Sequence, residues 1–427
     1  MTVTEPTKIL VSGGWGYGNL GDDAILISTL KILREKYPVS EIVVMTYDCE
    51  ETTRNINRDD VRVISSLHRY LVGDLSSKRF RNITKSHKTS GWDKSLTTVL
   101  EKIRARINKK LLFPKAEKIS YKKYLELQEN PSSCYLYNEF QQADLFILGG
   151  GGYFNDGWVD NVYAHSLELI FAGKSKIRSL VIGQSIGPFA QKDIREVAVK
   201  GLKNASLISV RDAESQSELA DYNLDSSIIP DTAISEISFE YVQKDEIAIV
   251  IGGKGLDGKQ IALISNVVAQ LVNNGNLSVK IILTRLWIPD VLLAEKLFGL
   301  MSSQMKNVSL IIPKTYIELQ NELGTSRLLI SQNLHGLIMA WRTGVPVISL
   351  SNDRKFVGFM KQSNQMSGLV PIKTATEESL LNAISNALMP RINENENRNH
   401  LAEGIKSKFF DILDKVNQMD QLIFDNK

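Results

Sequence analysis

Four basic side chains stand just beyond predicted β-strands, where the chain can present them to a ligand. Arg211 ends the strand-like run SLISVRD, His335 follows RLLIS, and Arg354 and Lys355 follow VPVISL. Arginine pairs with carboxylates and phosphates through its fork of N–H donors, and lysine neutralises them as a point charge. A histidine that opens a helix beside such groups suits proton transfer or contact with an anion.

Each of these residues also has a structural alternative. Arg211 could form an ion pair with Asp212 or Asp231, and His335 could be a hydrogen-bonded residue of the interior. The functional interpretation requires the four basic side chains to lie close together. This is expected because the carboxyl ends of parallel strands meet at one edge of a sheet. Cations gathered there would neutralise a ligand that carries both a carboxylate and a phosphate, and phosphoenolpyruvate is such a ligand.

A glycine-rich stretch near the start of the chain, VSGGWGYGNLGDDAI (11–25), contains the spacing of a dinucleotide-binding turn. Gly16, Gly18 and Gly21 form G-x-G-x-x-G between a predicted strand and a predicted helix. Asp48 ends the next strand, where a ribose-binding acid would stand. This context alone favours a nicotinamide or flavin site.

Two carboxylates directly after that motif argue against a dinucleotide. Asp22 and Asp23 stand at the predicted helix N-terminus, where a bound pyrophosphate needs free N–H donors and positive potential. Asp22 is a candidate N-cap that would occupy those donors, and both carboxylates would repel a diphosphate. We therefore predict that the stretch lines a cleft in which Asn19, Asp22 and Asp23 face a sugar, the two acids as acceptor ligands or bases.

Two further turns follow strands in the first half of the chain. LGGGGYFND (148–156) has four consecutive glycines, which let backbone N–H groups approach an anion, and it ends in polar side chains. GQSIGPF (183–189) follows the next strand, and a purely structural glycine turn is the alternative for the first of the two. The candidate acceptor-binding residues in these turns are Gly151, Asn155, Asp156 and Gln184.

Short apolar runs alternate with amphipathic stretches along both halves of the chain, which is typical of parallel sheets covered by helices on both faces. We predict an α/β fold of two Rossmann-like, doubly wound domains that face a cleft. The first, residues 1–235, contains a basic helical insertion at about 50–140 and supplies the acceptor side. The second, residues 245–390, supplies the donor side, and residues 391–427 form a helical tail.

Composition and charge exclude few classes of soluble protein. The 427 residues carry a formal net charge of +3, which favours no nucleic-acid partner. Cys49 and Cys134 are too few for a disulfide framework or a metal cluster. We expect no metal site and no resident cofactor, because the remaining histidines show no metal-ligand spacing; they are His68, His87, His165 and His400.

One segment, residues 78–123, is strongly basic, with 15 lysines and arginines against 3 acidic residues. Two interpretations stay open: a solvated helical insertion, or a surface that attracts phosphates, anionic polymers or acidic lipid headgroups. The N-terminus is polar, and no apolar run has the length of a membrane-spanning helix. We expect a cytoplasmic protein. The basic segment suggests, in addition, peripheral contact with the inner face of the membrane.

Six segments of the chain, in their order, resemble the polysaccharide pyruvyl transferase family. They are GGWGYGNLGDDAI, LGGGGYFND, GQSIGPF, SVRD, PDTAI and SQNLHGLIMAWRTGVPVISLSNDRKFVGF, all between residues 8 and 362. The resemblance implies two domains arranged as in glycosyltransferase-B enzymes. It implies transfer of a pyruvyl group from phosphoenolpyruvate to two hydroxyls of a sugar, which forms a cyclic ketal. The acceptor would be a glycan or lipid-linked sugar of exopolysaccharide or cell-envelope biosynthesis.

The resemblance also assigns roles to particular residues and shows one departure. The family usually has an arginine two residues before the histidine, and here that position is Asn333. Asn333 is then a candidate donor-binding residue, and Arg354 or Arg342 would supply the missing positive charge. The residues that inherit donor-binding or catalytic roles directly are Arg211, His335 and Lys355.

Ketal formation needs protonation of the enol CH₂ group, attack by one hydroxyl, loss of phosphate and attack by a second hydroxyl. We expect His335 to be the general acid or to hold the phosphate, and Asp22, Asp23 or Asp156 to accept the hydroxyl protons. Three alternatives remain: a nucleotide-sugar glycosyltransferase of the same architecture, an NAD-dependent oxidoreductase, and a non-catalytic member of a polysaccharide assembly complex, which Asn333 suggests.

Overall fold

The structure is a computed structural model of the chain. It describes residues 5–72, 113–238, 240–252, 256–275, 277–285, 287–390 and 393–424. The predicted basic segment therefore lies largely outside the described residues, since only its end, from residue 113 onward, belongs to them.

The first domain is built around an eight-stranded parallel sheet. Its strands are β1 (Lys8–Ser12), β2 (Glu41–Thr46), β3 (Val61–Ser65), β4 (Leu145–Leu148), β5 (Gly151–Phe154), β6 (Arg178–Ile186), β7 (Leu207–Val210) and β8 (Ser227–Ile228). Their order is β3-β2-β1-β4-β6-β7-β8, and β5 pairs with the second half of β6. The central strands are buried along their length, as expected for a sheet with helices on both faces.

The helices of this domain are α1 (Leu20–Lys36), α2 (Cys49–Ile56), α3 (Leu67–Val72), α4 (Phe113–Glu129), α5 (Tyr137–Gln141), α6 (Val159–Lys174), α7 (Lys192–Leu202) and α8 (Ala213–Ala220). Short 3₁₀ turns at Pro131–Ser133, Asp156–Trp158 and Thr232–Ser235 connect some of these elements. Helices thus alternate with strands through most of the domain, and the connection from β3 to β4 passes from the edge of the sheet to the other side of β1.

The second domain has a five-stranded parallel sheet. Its strands are β9 (Glu246–Val250), β10 (Ser278–Ile282), β11 (Val308–Ile311), β12 (Leu328–Ser331) and β13 (Val347–Ser349), in the order β11-β10-β9-β12-β13. Its helices are α9 (Gly258–Gly275), α10 (Ile288–Gln304), α11 (Tyr316–Gly324), α12 (Leu334–Arg342), α13 (Arg354–Gln362) and α14 (Glu377–Leu388). The long last helix, α15, spans Glu394–Phe424.

Two doubly wound parallel sheets confirm the predicted fold class, but two short strands differ from the prediction. β3 lies inside the region predicted as helical from about residue 50; its Val-Arg-Val-Ile pattern pairs with β2 at the edge of the sheet. β5 forms in the stretch predicted as a glycine turn, because the long strand β6 offers a free edge beyond the end of β4. Both errors arise where pairing with a neighbour, rather than local sequence, determines the strand.

The two domains share one hydrophobic core. Helix α1 of the first domain packs against α11 and α12 of the second, and one apolar cluster contains residues of both sheets together with Leu30, Leu319 and Leu337. Arg342, at the end of α12, is fully buried and donates to the Ala233 carbonyl of the first domain at 2.9 Å. The domains are therefore joined by packed side chains as well as by the connecting chain.

Helix α15 returns from the second domain to the first. Asn417 on this helix donates to the Tyr37 hydroxyl at 2.8 Å and accepts from Arg178 Nη1 at 2.7 Å. Phe409 of the same helix is fully buried in the shared core. The predicted helical tail thus closes the first domain instead of extending from the second.

We predict that Asn417→Ala destabilises the protein, because it leaves a buried tyrosine hydroxyl without its donor and removes an acceptor from an arginine. The expected loss in the free energy of unfolding is about 2–3 kcal/mol. Thermal and urea unfolding would measure it. Asn399→Ala, at an exposed position of the same helix, is the control; equal effects of the two substitutions would contradict an anchoring role for Asn417.

Candidate active site

The first turns of two helices, one from each domain, meet at the cleft. Asn19 caps α1, where its Oδ1 accepts from the Gly21 amide at 3.3 Å, and Asn333 caps α12, where its Oδ1 accepts from the Gly336 amide at 2.9 Å. The cap of α1 is therefore Asn19 and not Asp22. Since Asp22 lies inside the first turn, its carboxylate is available for contacts across the cleft.

His335, in the first turn of α12, lies directly against the backbone of Gly21. A Cβ atom added to Gly21 would stand 2.4 Å from His335 Nδ1 and 2.6 Å from its Cβ. Such separations are far below van der Waals contact, so any side chain at position 21 would displace the imidazole. The last glycine of the G-x-G-x-x-G pattern therefore makes room for a histidine of the other domain.

Two carboxylates flank the His335 ring. Its Nε2 atom lies 3.4 Å from Asp231 Oδ2, and its Nδ1 atom lies 3.8 Å from Asp22 Oδ1. Asn19 Nδ2 donates to the other oxygen of Asp22 at 2.6 Å. The imidazole is thus oriented from both sides, by an acid of the 3₁₀ turn that follows β8 and by an acid of α1.

The two acids differ in their proton affinity. Burial raises the pKa of Asp22, and the nearby His335 and the Asn19 amide offset only part of that rise. Burial also acts to raise the pKa of Asp231, but its contact with His335 and the charge of Arg211 outweigh burial and hold the pKa below its usual value. Asp231 is therefore a carboxylate at neutral pH that orients the ring, whereas Asp22 is the better proton acceptor.

Arg211, at the end of β7, extends this network away from the histidine. Its Nη1 donates to Asp231 Oδ2 at 3.4 Å, and its Nε donates to the Ser185 hydroxyl at 2.5 Å. Ser185 in turn donates to Asp212 at 2.9 Å. The guanidinium is buried, and Gly152 passes so close that an added Cβ would lie 3.3 Å from Arg211 Nη2. Arg211 thus forms the ion pair of the structural interpretation, and this ion pair holds it beside the cleft, as the functional interpretation requires.

Further cations stand on the second domain. Lys355, in the first turn of α13, is solvent-exposed, yet the protein around its ammonium group and the charge of Arg211 lower its pKa to about 8. Arg354 beside it donates to the Gly187 carbonyl of the first domain at 3.4 Å. Arg285, just after β10, also contributes to the lowered pKa of Lys355. The charges of both domains are close enough to act on one ligand.

Unlike Asp22, Asp23 does not face the cleft. It is buried, and its Oδ2 accepts from Asn55 Nδ2 at 2.6 Å. Burial, together with the charges of Glu51 and Asp22, raises the pKa of Asp23 well above its usual value. Asp48, the candidate ribose acid, caps α2 by accepting from the Glu51 amide at 3.1 Å. Asp23 and Asp48 therefore stabilise the structure around the glycine-rich loop.

The predicted acceptor-binding residues of the first domain also support loops. Asn155 Oδ1 accepts from the Gly157 amide at 2.9 Å, and Asp156 Oδ2 accepts from the Ala190 amide at 2.6 Å. Gln184 is fully buried. Gly151 is buried against the Tyr153 ring, which lies 2.2 Å from the position of an added Cβ. These four residues shape the wall of the cleft, and Asn19 is the predicted acceptor ligand whose side chain contacts Asp22.

Sequence reasoning missed two residues of this site. Asp231 was considered only as an ion-pair partner of Arg211, and Arg285 was seen only as the end of the strand-like run VKIILTR. Both stand just after a strand, as the selected cations do, so the same rule applied to every strand end would have found them. Arg342, considered as a replacement for the missing family arginine, is instead held in the interior by Ala233, Tyr316 and Gln320.

Solved structures share this architecture. The UDP-GlcNAc 2-epimerase of Neisseria meningitidis, bound to UDP-GlcNAc, is 12% identical with a TM-score of 0.53 over 96% of this chain and 100% of that chain. The UDP-GlcNAc 2-epimerase of Methanocaldococcus jannaschii is 12% identical with a TM-score of 0.55 over 94% and 99%. Anabaena Alr3699/HepE, in complex with UDP and glucose, is 13% identical with a TM-score of 0.54 over 99% and 100%. At such identities the likeness shows the fold alone, a glycosyltransferase-B-like pair of Rossmann-like domains.

The family model for polysaccharide pyruvyl transferase matches residues 19–354, which is most of the chain. The chain belongs to this family. The matched residues include Asp22, Arg211, Asp231 and His335, and Lys355 follows directly after them. No curated protein sequence matches the chain. Among the described residues, none of the helices has the length and apolar character needed to cross a membrane.

We predict that Gly21→Ala lowers the activity of the protein without unfolding it. Alanine favours the helix that Gly21 belongs to, but its Cβ must displace His335. A shift of about 1 Å in a catalytic group costs roughly 10- to 100-fold in turnover. Gly299→Ala, in the exposed part of α10 with open space around it, is the matched control. Full activity of the Gly21 variant would contradict a catalytic position for His335.

Proposed function

We propose that this protein transfers a pyruvyl group from phosphoenolpyruvate to two hydroxyls of a sugar, with formation of a cyclic ketal and release of inorganic phosphate. The observation that carries the proposal is the placement of His335 between Asp22 and Asp231, beside Arg211, where the two domains meet. Membership of the polysaccharide pyruvyl transferase family supports it. No resident cofactor takes part, because the donor itself supplies the activated carbon.

The cations beside the cleft suit the donor. Phosphoenolpyruvate carries a carboxylate and a phosphate on the same carbon, and Arg211, Arg354 and Lys355 offer them paired donors and positive charge. Asn333 carries no charge, and its side-chain oxygen caps α12. Arg285 also acts on the pKa of Lys355, but it is paired with Asp290, so Arg211, Arg354 and Lys355 carry the cationic character of the site without the usual arginine of the family.

His335 and Asp22 are the proposed acid and base. His335 protonates the CH₂ carbon of the donor, and the carbon that bears the phosphate becomes electrophilic. A sugar hydroxyl attacks that carbon and gives its proton to Asp22, whose pKa burial raises. The phosphate leaves with its bonding electron pair, stabilised by the cations. Attack by the second hydroxyl closes the ketal, and its proton leaves with the phosphate. Asp22 returns the proton of the first hydroxyl to His335, which restores both groups.

The acceptor side belongs to the first domain. Asn19 and Asp22 present polar atoms to the cleft, and we propose that they bind the hydroxyl pair of a glycan or lipid-linked sugar of cell-envelope or exopolysaccharide biosynthesis. A cytoplasmic location is part of this proposal, because phosphoenolpyruvate is an intracellular metabolite. Contact of the basic segment 78–123 with a membrane surface remains a sequence-based prediction, since most of that segment lies outside the described residues.

The direct test is phosphate release from phosphoenolpyruvate in the presence of nitrophenyl glycosides and lipid-linked sugars. The proposal expects release that depends on one acceptor class, and a product that gains the mass of one pyruvyl ketal. Titrations with UDP- and GDP-sugars and with NADH run in parallel. Tight binding of a nucleotide sugar without any phosphate release would favour a glycosyltransferase, and NADH binding would favour an oxidoreductase.

We predict that His335→Ala and Lys355→Ala each reduce turnover by at least about 100-fold, because they remove the proposed acid and a cation that stabilises the leaving phosphate. Steady-state phosphate release with the active acceptor measures this loss. Lys361→Ala, at an exposed position of the same helix as Lys355, is the control and should retain activity. Near-normal rates in both site variants would refute the assignment.

We predict that kcat/KM for phosphoenolpyruvate falls as the pH rises through about 8, where Lys355 loses its proton in the free enzyme. Below this pH the ammonium group attracts the donor, and above it the attraction is lost. Lys355→Arg keeps the positive charge at all pH values of the assay, so its profile should lack this falling limb. An unchanged limb in the arginine variant would exclude Lys355 as the group that titrates.

A further inference from the structure

Two tryptophans, one from each domain, meet at the same cleft, and neither has a part in the chemistry described above. Trp158 ends the 3₁₀ turn that follows β5, and Trp287 is the residue before α10. Their ring centroids are 5.5 Å apart, and the ring planes are tilted by 51°. Trp158 is 37% exposed, although large aromatic side chains normally lie in the core.

The pair is held from the side of the second domain. The Arg285 guanidinium stands 4.0 Å from the centroid of the Trp287 ring, and Asp290 pairs with Arg285, with Nη2 and Oδ1 3.3 Å apart. Arg285 also forms an antiparallel bridge with Asn19 of the first domain. Arg285, Trp287 and Trp158 therefore form a contiguous cluster in which Arg285 adjoins Asn19 and Trp158 is partly exposed to solvent.

The position of this cluster relates it to the acceptor side. Asn19, whose side chain is hydrogen-bonded to Asp22, pairs with Arg285 through the backbone, and the charge of Arg285 helps to lower the pKa of Lys355. These links place the two indole rings on the Asn19 side of the cleft.

We propose that Trp158, supported by Trp287 and Arg285, is the binding platform for a pyranose ring of the acceptor glycan. The apolar C–H face of a pyranose carries slight positive charge and packs on the electron-rich face of an indole. Rigid aromatic side chains give a large contact area at a low cost in conformational entropy. The reacting sugar would lie at Asp22, and this sugar or the next one in the chain would lie on Trp158. The inference rests on the proposed function for the identity of the ligand.

If Trp158 binds the acceptor sugar, its removal should weaken acceptor binding without slowing the chemical step. Trp158→Ala should raise the KM for the glycoside acceptor by roughly 10-fold, while kcat at saturating acceptor and the KM for phosphoenolpyruvate change little, because the ring contacts only the acceptor. Trp158→Phe keeps an aromatic face and should recover most of the affinity. Tyr135→Ala, which removes an exposed aromatic ring elsewhere on the first domain, is the matched control.

A binding experiment separates this inference from the proposed function. Methyl pyranosides are titrated into the wild-type protein and into Trp158→Ala by isothermal titration calorimetry, without phosphoenolpyruvate. Saturable binding that is weakened in the alanine variant supports the platform, even if no phosphate release is ever seen. Binding and KM values that are the same in both proteins would overturn it. It would equally be overturned if the alanine variant bound UDP more weakly but methyl pyranosides unchanged, because the rings would then hold a nucleobase.

A structural role for the pair gives a different result. If the two rings only fasten the domains together, Trp158→Ala would lower the melting temperature and leave the acceptor KM unchanged, and that result would overturn the platform. Thermal unfolding of Trp158→Ala and Trp287→Ala, measured beside the kinetics, makes this distinction. Loss of acceptor affinity in a protein of unchanged stability is the result that the platform expects.

Discussion

The contact between His335 and the backbone of Gly21 is the constraint on which the site depends. It joins the first turns of two helices from different domains at a separation that only a glycine permits. Asp22 follows Gly21 in the chain, so the same contact brings its carboxylate to 3.8 Å from the imidazole. The acid and the base of the proposed reaction are thereby positioned by packing between the domains, and loop flexibility has little part in it.

Charge compensation explains why so many ionised groups can lie together at low exposure. Asp231 alone would be costly to bury, but Arg211 and His335 both contact it, and its pKa stays low in spite of burial. Removing one partner would leave an uncompensated charge. A bound donor fits the same logic, because its anionic groups would share the positive charge of Arg211 and Lys355 that the carboxylates only partly neutralise.

Most of the fold could be predicted from the sequence, because fully buried parallel strands appear as continuous apolar runs separated by amphipathic stretches. The site could be predicted in part, since Arg211 and His335 stand at strand ends. The side chains that each site residue contacts could not be predicted. Asp22 and Asp23 are identical neighbours in the sequence, yet helix geometry turns one to the cleft and the other to Asn55. The tryptophan pair joins residues 158 and 287, which only the tertiary structure brings together.

The apolar core that both domains share has a consequence for how substrates bind. Domains joined by polar surfaces move freely, whereas those joined by a large hydrophobic contact do not. Separating α1 from α12 would expose Leu30 and Leu337 to water and break the buried hydrogen bond from Arg342 to Ala233. The arrangement of His335, Asp22 and Asp231 is therefore set before any ligand arrives. In the proposed reaction the binding energy of the donor would not be consumed in closing the domains, and recognition would be closer to a lock and key than to induced fit.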